Sequence, residues 1–313
     1  MVFRKFIVGF LVLFFVLGCS QNNETMVNQN PHITADNIVD EIAKQVKHYD
    51  KEPTYWLKTD AIGGYELYVN DIPVFNMSDN NLSYAGAIEI NSAILKSGKQ
   101  KVKLKVFSKR KSENINVNIF ESNSHKDYMK AIKTKEYITK VSSEKDCYVI
   151  EFIFDATVPY NNKGWSDGQD LTKFGQQELE VAVIAFYKKM WDRYNNRNEE
   201  DEIYNLIWKK EAEIAISNYF TKEDIKGFIN VYTVPYIGDY YKMQPLRDYK
   251  MEVYGDGKVV SLKQTGENMS RRGESALWLK LEGGHNTSQF FFIPIYLYLP
   301  QGKTLKDGLQ IIR

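Results

Sequence analysis

Two hydrophobic periods alternate along the chain, and the places where one gives way to the other divide it. Apolar residues first recur at three and four positions through Ile38, Ile42, Val46 and Tyr49, which predicts a short helix capped by Asp36 and stopped by Pro53. The period then falls to two. Tyr65, Leu67 and Val69 alternate with Glu66 and Asn70; Val102, Leu104 and Val106 alternate with Lys101, Lys103 and Lys105; Ile115, Val117 and Ile119 alternate with Asn114, Asn116 and Asn118. Each set is the signature of a half-buried strand. Tyr148 to Phe154 is apolar on both faces apart from Glu151 and reads as a central strand. Turn signals at Ile62-Gly63-Gly64, at Ser97-Gly98-Lys99 and in the charged loop from Ser108 to Glu113 separate these runs. The pattern predicts an antiparallel β-sandwich from about Pro53 to Val158, within a domain 32–158 that includes the leading helix.

A polar segment from Pro159 to about Lys173 follows and marks a domain boundary. Helical spacing returns in Leu179, Val183, Phe186, Met190 and Tyr194, breaks at Asn195-Asn196-Arg197-Asn198, and resumes through Ile203, Leu206, Ile207 and Ile214. Two helices are expected, near 174–196 and 200–220. Thr221-Lys222-Glu223-Asp224 has the form of a cap with an acid three residues later, so a short third helix is expected. After Pro245 the period is two again, with a hairpin around Gly255-Asp256-Gly257, a strand at Leu277 to Leu281, a turn at Glu282 to Asn286 and a long strand from Phe290 to Leu299. Pro294 puts that last strand at an edge or a bulge. The predicted class is mainly β plus α+β: an N-terminal antiparallel β-sandwich, then residues 159–313 as a helical hairpin packed on an antiparallel meander.

The start of the chain is an address. Arg4 and Lys5 precede an apolar run from Phe6 to Leu17, much shorter than the ~20 residues that span a bilayer, as in a signal peptide. Val16-Leu17-Gly18-Cys19 resembles a bacterial lipobox, which implies cleavage after residue 18, lipid on Cys19 and a flexible tether over 19–31. Several acyl chains on one cysteine anchor stably where a single chain is marginal. By the sorting pattern of such lipoproteins, Ser20 implies the outer membrane of a Gram-negative cell, facing the periplasm. Glu66 to Val74 followed by Ile90 to Val106 is similar to the jelly-roll modules of bacterial surface proteins, which supports the sandwich but transfers no binding residue.

Composition narrows the function mainly by exclusion. The 313 residues carry a net charge of +1, so no general field draws the chain to nucleic acid. Besides Cys19 the only cysteine is Cys147, which excludes an intramolecular disulfide and reads as a small buried hydrophobe. No zinc-protease, Cys-x-x-Cys or phosphate-loop pattern occurs, and His32, His48, His125 and His285 are scattered without ligand spacing. Neither a metal nor a cofactor is called for.

Two surfaces invite a binding reading. If the lysine and asparagine strands form a hairpin, Lys101, Lys103 and Lys105 share a face with the asparagines, suited to an acidic protein or a glycan. Tyr232, Tyr236, Tyr240 and Tyr241, interleaved with Gly and Pro, give rigid amphipathic contact area suited to a protein partner. The sequence therefore predicts a membrane-anchored, periplasmic, non-enzymatic binding module for a protein partner, with an immunity protein against a periplasmic toxin as one version. A glycan-binding accessory or a hydrolase of an envelope polymer, using acids such as Asp167, Asp170, Glu178 or Asp239, is the alternative.

Overall fold

The computed structural model describes residues 30, 32–61, 63–77, 84, 86–107, 113–123, 128–141, 147–196, 200–232, 241–266, 271–281 and 290–313. The segment that resembles a lipobox, with Cys19, most of the expected tether, Tyr236, Asp239, Tyr240, His125, His285, most of the charged loop after Ser108 and the predicted turn at 282–286 lie outside these residues.

Eight strands form two four-stranded antiparallel sheets. They are β1 (Thr54–Thr59), β2 (Gly64–Val69), β3 (Ile72–Met77), β4 (Ile88–Glu89), β5 (Lys96–Phe107), β6 (Glu113–Ser122), β7 (Ile132–Val141) and β8 (Tyr148–Asn161). Period-two alternation predicts β2, β5 and β6, the apolar run Tyr148 to Phe154 predicts β8, and the other four were not expected. One sheet has the order β4-β1-β6-β7 and the other β3-β2-β5-β8. Leu57, Val117 and Ile119 from the first meet Leu67, Val69, Val102 and Leu104 from the second in one apolar core. This is the β-sandwich that the alternation predicts.

Three local expectations need correction. The lysine and asparagine strands do not pair with each other: β5 bonds to β2 and β8, and β6 bonds to β1 and β7. Their aliphatic sides face each other across the core, so Lys101, Lys103 and Lys105 lie on one outer face of the sandwich and Asn116 and Asn118 on the other. The run Tyr148 to Phe154 lies on the edge strand β8 and not a central one, with Val149 57% and Ile153 50% exposed; apolar residues on both faces did not require two neighbours. Gly98, at φ +124°, sits in a register shift inside β5, a bulge where a turn was expected.

The helices are α1 (Ile38–Ala43), α2 (Gln176–Asn195), α3 (Glu200–Ser217) and α4 (Lys222–Tyr232). Asn37 stands at the N-cap position of α1 in place of Asp36, without a side-chain cap bond, and α1 ends at Ala43, three residues before Val46. Although it precedes the sandwich in the chain, its Ile38 and Ile42 join the core built by the later helices. Leu179, Val183, Phe186, Met190 and Tyr194 are buried along α2, as their spacing required.

Beneath the helices lie β9 (Tyr241–Met243), β10 (Tyr249–Tyr254), β11 (Val259–Gln264), β12 (Trp278–Leu281), β13 (Phe290–Phe292), β14 (Leu297–Tyr298) and β15 (Gln310–Ile311). They form two sheets, β10-β11-β14-β15 and β13-β12-β9, where a single meander was expected. The long strand from Phe290 to Leu299 breaks around Pro294 into β13 and β14, each in a different sheet, because proline cannot donate to a ladder. Tyr187 of α2 joins the layers: its buried hydroxyl contacts Ser261 Oγ (3.0 Å) and accepts from Leu262 N–H (3.0 Å), and it donates to Ile295 C=O (2.8 Å).

Candidate functional site between the sandwich and the C-terminal sheets

Alternation along β2 sends Tyr65, Leu67 and Val69 into the sandwich core and leaves Glu66 and Tyr68 on the outer face. That face meets the β10–β11 hairpin. The turn after β2 holds Asn70 and Asp71 in left-handed conformations, at φ +51° and +61°, that short polar side chains tolerate. There the Asp71 carbonyl accepts from Gly255 N–H (3.1 Å) and its carboxylate from Asp256 N–H (3.2 Å), so the two turns clasp. Tyr68 and Ile72 pack with Trp165, Tyr254, Val259, Tyr296 and Tyr298 in a small separate core.

Beside this contact the layers part around a cavity of about 300 Å³. Tyr68, Phe75, Tyr254 and Tyr296 supply aromatic walls, with Tyr254 and Tyr296 edge to face at 5.8 Å. Four carboxylates, Glu66, Glu89, Glu252 and Glu274, and three cations, Lys210, Lys263 and Arg313, also reach it.

Most of these charges have partners. Glu66 accepts from the Tyr68 hydroxyl (2.6 Å) and lies 3.3 Å from Lys105 Nζ. Glu252 accepts from the Tyr254 hydroxyl and pairs with Lys250 (2.5 Å); burial pushes its pKa up, but these two contacts outweigh it and leave it lowered. Lys263 is 5% exposed and donates to the Tyr296 hydroxyl (2.7 Å), with its ammonium 4.6 Å from that ring. Glu274 accepts from Asn76 Nδ2 (3.0 Å), and burial raises its pKa.

Two groups differ. Burial pushes the Glu89 carboxyl up to about 7, and its Oε1 is buried with no hydrogen-bond partner. Arg313 is 7% exposed, and its Nε, Nη1 and Nη2 are all buried without a hydrogen-bond partner, the guanidinium standing 5.3 Å from the Trp165 ring. Burial lowers its pKa against the opposing pull of Glu213. Stacking faces, a protonatable acid and an unmet guanidinium suit a cavity that holds a small polar molecule by its ring or chain and orients it by its ends.

The sequence-predicted residues fall elsewhere or only partly here. Lys103 pairs with Asp71 (2.9 Å), and Lys105 lies 4.9 Å from the Tyr68 ring, so both are engaged within the clasp. Lys101 is the most exposed of the three, 3.9 Å from Asp256, and shares a shallow outer groove with Glu151 and Ile153. Tyr241 is half-buried, edge to face with Phe291 at 4.9 Å; Tyr232 ends α4; Tyr236 and Tyr240 lie outside the described residues. Cys147 is half-buried, and burial raises its thiol pKa.

Glu89, Lys263 and Arg313 were missed because they lie far apart in sequence and carry no motif. Lys263 left one usable trace, a charge directly after Val259-Val260-Ser261-Leu262. Among the described residues no group of three or more His, Cys, Asp or Glu is placed to hold a metal ion, and no helix is long and apolar enough to cross a membrane. Comparison with known proteins finds no matching family model, no matching curated protein and no matching solved structure.

Proposed function

We propose that this protein is a membrane-anchored binding module of the bacterial envelope, held by lipid on Cys19, that takes a small polar ligand in the cavity between sandwich and C-terminal sheets. The observation that carries the reading is the wall of that cavity. Four aromatic rings beside buried, mostly paired charges are a costly arrangement for a purely structural contact, since each desolvated charge needs a partner. The strand orders 4-1-6-7 and 3-2-5-8 support the jelly-roll resemblance, because they match a jelly roll with its chain ends shifted by two strands.

Anchoring and binding are tested separately. Cys19→Ser moves the protein from the membrane fraction to the soluble fraction; unchanged partition in detergent-free extracts counts against the anchor. For the cavity, Phe75→Ala removes a half-buried wall ring that also stacks on Tyr65 (5.0 Å) at the margin of the sandwich core, and it reduces the thermal shift that a ligand adds over each protein's own unliganded midpoint. Equal stabilisation of parent and variant by every ligand places binding elsewhere, with the tyrosine segment 232–241 and a protein partner as the next surface to test.

One observation favours a second reading, a hydrolase of an envelope polymer. Glu89 and Glu274 both line the cavity with pKa values raised by burial, which is how a carboxyl is kept as a proton donor near neutral pH. Turnover of an envelope polymer that Glu89→Gln abolishes would establish it over the binding reading.

A further inference from the structure

We infer that the cavity binds a small carboxylate ligand through Arg313, with hydroxyl or amino donors at the ligand's other end. This rests on the cavity being the binding site, and it adds the chemistry of the ligand. Arg313 is more than nine-tenths buried, it lines the cavity, and none of its three nitrogens meets an acceptor. A guanidinium is charged in any folded protein and presents five N–H donors in a planar fork. Left unmet in a desolvated place such donors are unfavourable, and a carboxylate satisfies two of them at once.

The protein's own carboxylates do not fill that role. Glu66 and Glu252 are committed to Tyr68 with Lys105 and to Tyr254 with Lys250. Glu274 accepts from Asn76. Glu213, the first opposing charge felt by Arg313, accepts at its Oε1 from Gly164 N–H (3.1 Å), and its Oε2, like Glu211 Oε2, is buried without a hydrogen-bond partner, so both act on the guanidinium through space without reaching it. The other cavity cations are likewise taken, Lys263 by Tyr296 and Lys210 by Glu211 (3.3 Å). Arg313 is thus the unmet donor at the cavity and Glu89 Oε1 the unmet acceptor. A ligand that answers both carries a carboxylate and a donor, with a body that lies against Phe75 or Tyr254. About 300 Å³ suits a single sugar or amino acid, not a folded chain or a polymer repeat of several units. Uronic acids and free amino acids share this chemistry.

The test titrates the full-length protein in detergent with D-glucuronate, L-alanine and, as the uncharged counterpart, D-glucose, read by calorimetry. Glucuronate or alanine binds, whichever source is the right one, and glucose binds about tenfold or more weakly than glucuronate if the sugar arm is right. Arg313→Gln lowers the affinity of the binding carboxylate by about tenfold or more, and Arg313→Lys restores only part of it because the planar fork is lost. Should the variants fail to fold, the Arg313 Nε–H resonance of the unaltered protein serves instead, shifting with the carboxylate and not with glucose. Glucose binding as well as glucuronate, with no response of Arg313, overturns the carboxylate inference and leaves the cavity standing as the site. Binding of none of the three, with the Arg313 resonance unmoved by all, overturns the inference; Phe75→Ala in the wider screen then decides the fate of the cavity itself.

Discussion

Glu89 is where a single side chain makes folding respond to pH. Its carboxyl has an ordinary value of 4.5 and is raised to about 7 by burial in the folded chain. Below the ordinary value both folded and unfolded chains hold the proton, and the group adds no pH dependence. Between there and about pH 7 only the folded chain holds it, so stability falls as pH rises; above that the loss is constant, at most roughly 3 kcal/mol. Glu89→Gln removes the ionisation. Thermal unfolding followed at about pH 8 and about pH 5 is expected to show a higher midpoint for the variant at the first and no gain at the second. A gain of equal size at both would mean that packing and not ionisation sets the difference. The residue was not legible as special in the sequence, because one glutamate beside a strand looks like any solvated charge until the surroundings that desolvate it are assembled.

At the scale of single elements, local chemistry was a good guide wherever the element satisfies itself. The third C-terminal helix begins as Thr221 and Asp224 announce: Thr221 N–H donates to the Asp224 carboxylate (3.0 Å) and Asp224 N–H to Thr221 Oγ1 (3.2 Å). Thr221→Ala removes half of this box and is expected to cost about 1 kcal/mol in urea unfolding, with faster amide exchange in the first turn of α4. Strands that alternate cleanly were legible as strands, but β1, β3, β4, β7 and β9 were not, and neither were the neighbours of any strand. The inward and outward residues of β5 and β8 make that difference measurable. Leu104→Ala, in the sandwich core, is expected to cost about 2–5 kcal/mol, whereas Ile153→Ser, on the exposed face of the edge strand, stays within about 0.5 kcal/mol. Comparable losses at both sites would contradict the placement of β8 at an edge.

For the molecule as a whole, a buried amide ties the sandwich to the helices. Asn91 is fully buried, accepts from Tyr55 N–H (2.7 Å) and donates to Pro53 C=O (2.9 Å) and Ser217 C=O (3.0 Å), the last at the end of α3. Asn91→Ala strands the Tyr55 N–H and the Ser217 C=O in buried positions, while the Pro53 C=O keeps the Tyr219 hydroxyl (3.3 Å), at a cost on the order of 3 kcal/mol. Because the three partners come from both sides of the contact, calorimetric unfolding is expected to stay a single transition with a lower midpoint. Two separated transitions in the parent protein would show instead that the halves do not share one cooperative unit. The clasp of Asp71 on Gly255 and Asp256, and the aromatic packing of Tyr68 against Tyr254, act in the same place.

The sequence by itself determined the two long helices, the strands that alternate cleanly or run apolar (β2, β5, β6, β8, β10, β11 and β12), where the period changes and which of their residues face a core. Those features follow from side-chain spacing within one element, 2 for a strand and 3.6 for a helix, and the buried faces of α2, β2, β5 and β6 obey it. The resemblance of Val16-Leu17-Gly18-Cys19 to a lipobox is likewise local and needs no fold to be read. Tertiary structure alone decided that the lysine and asparagine strands lie on opposite sheets, that β8 is an edge and that Phe290 to Leu299 is split between two sheets. It alone brought Glu89, Lys263 and Arg313 to one cavity. Alternation states which way a side chain points but not what it meets, and a site assembled from strands nearly the whole chain apart has no period of its own.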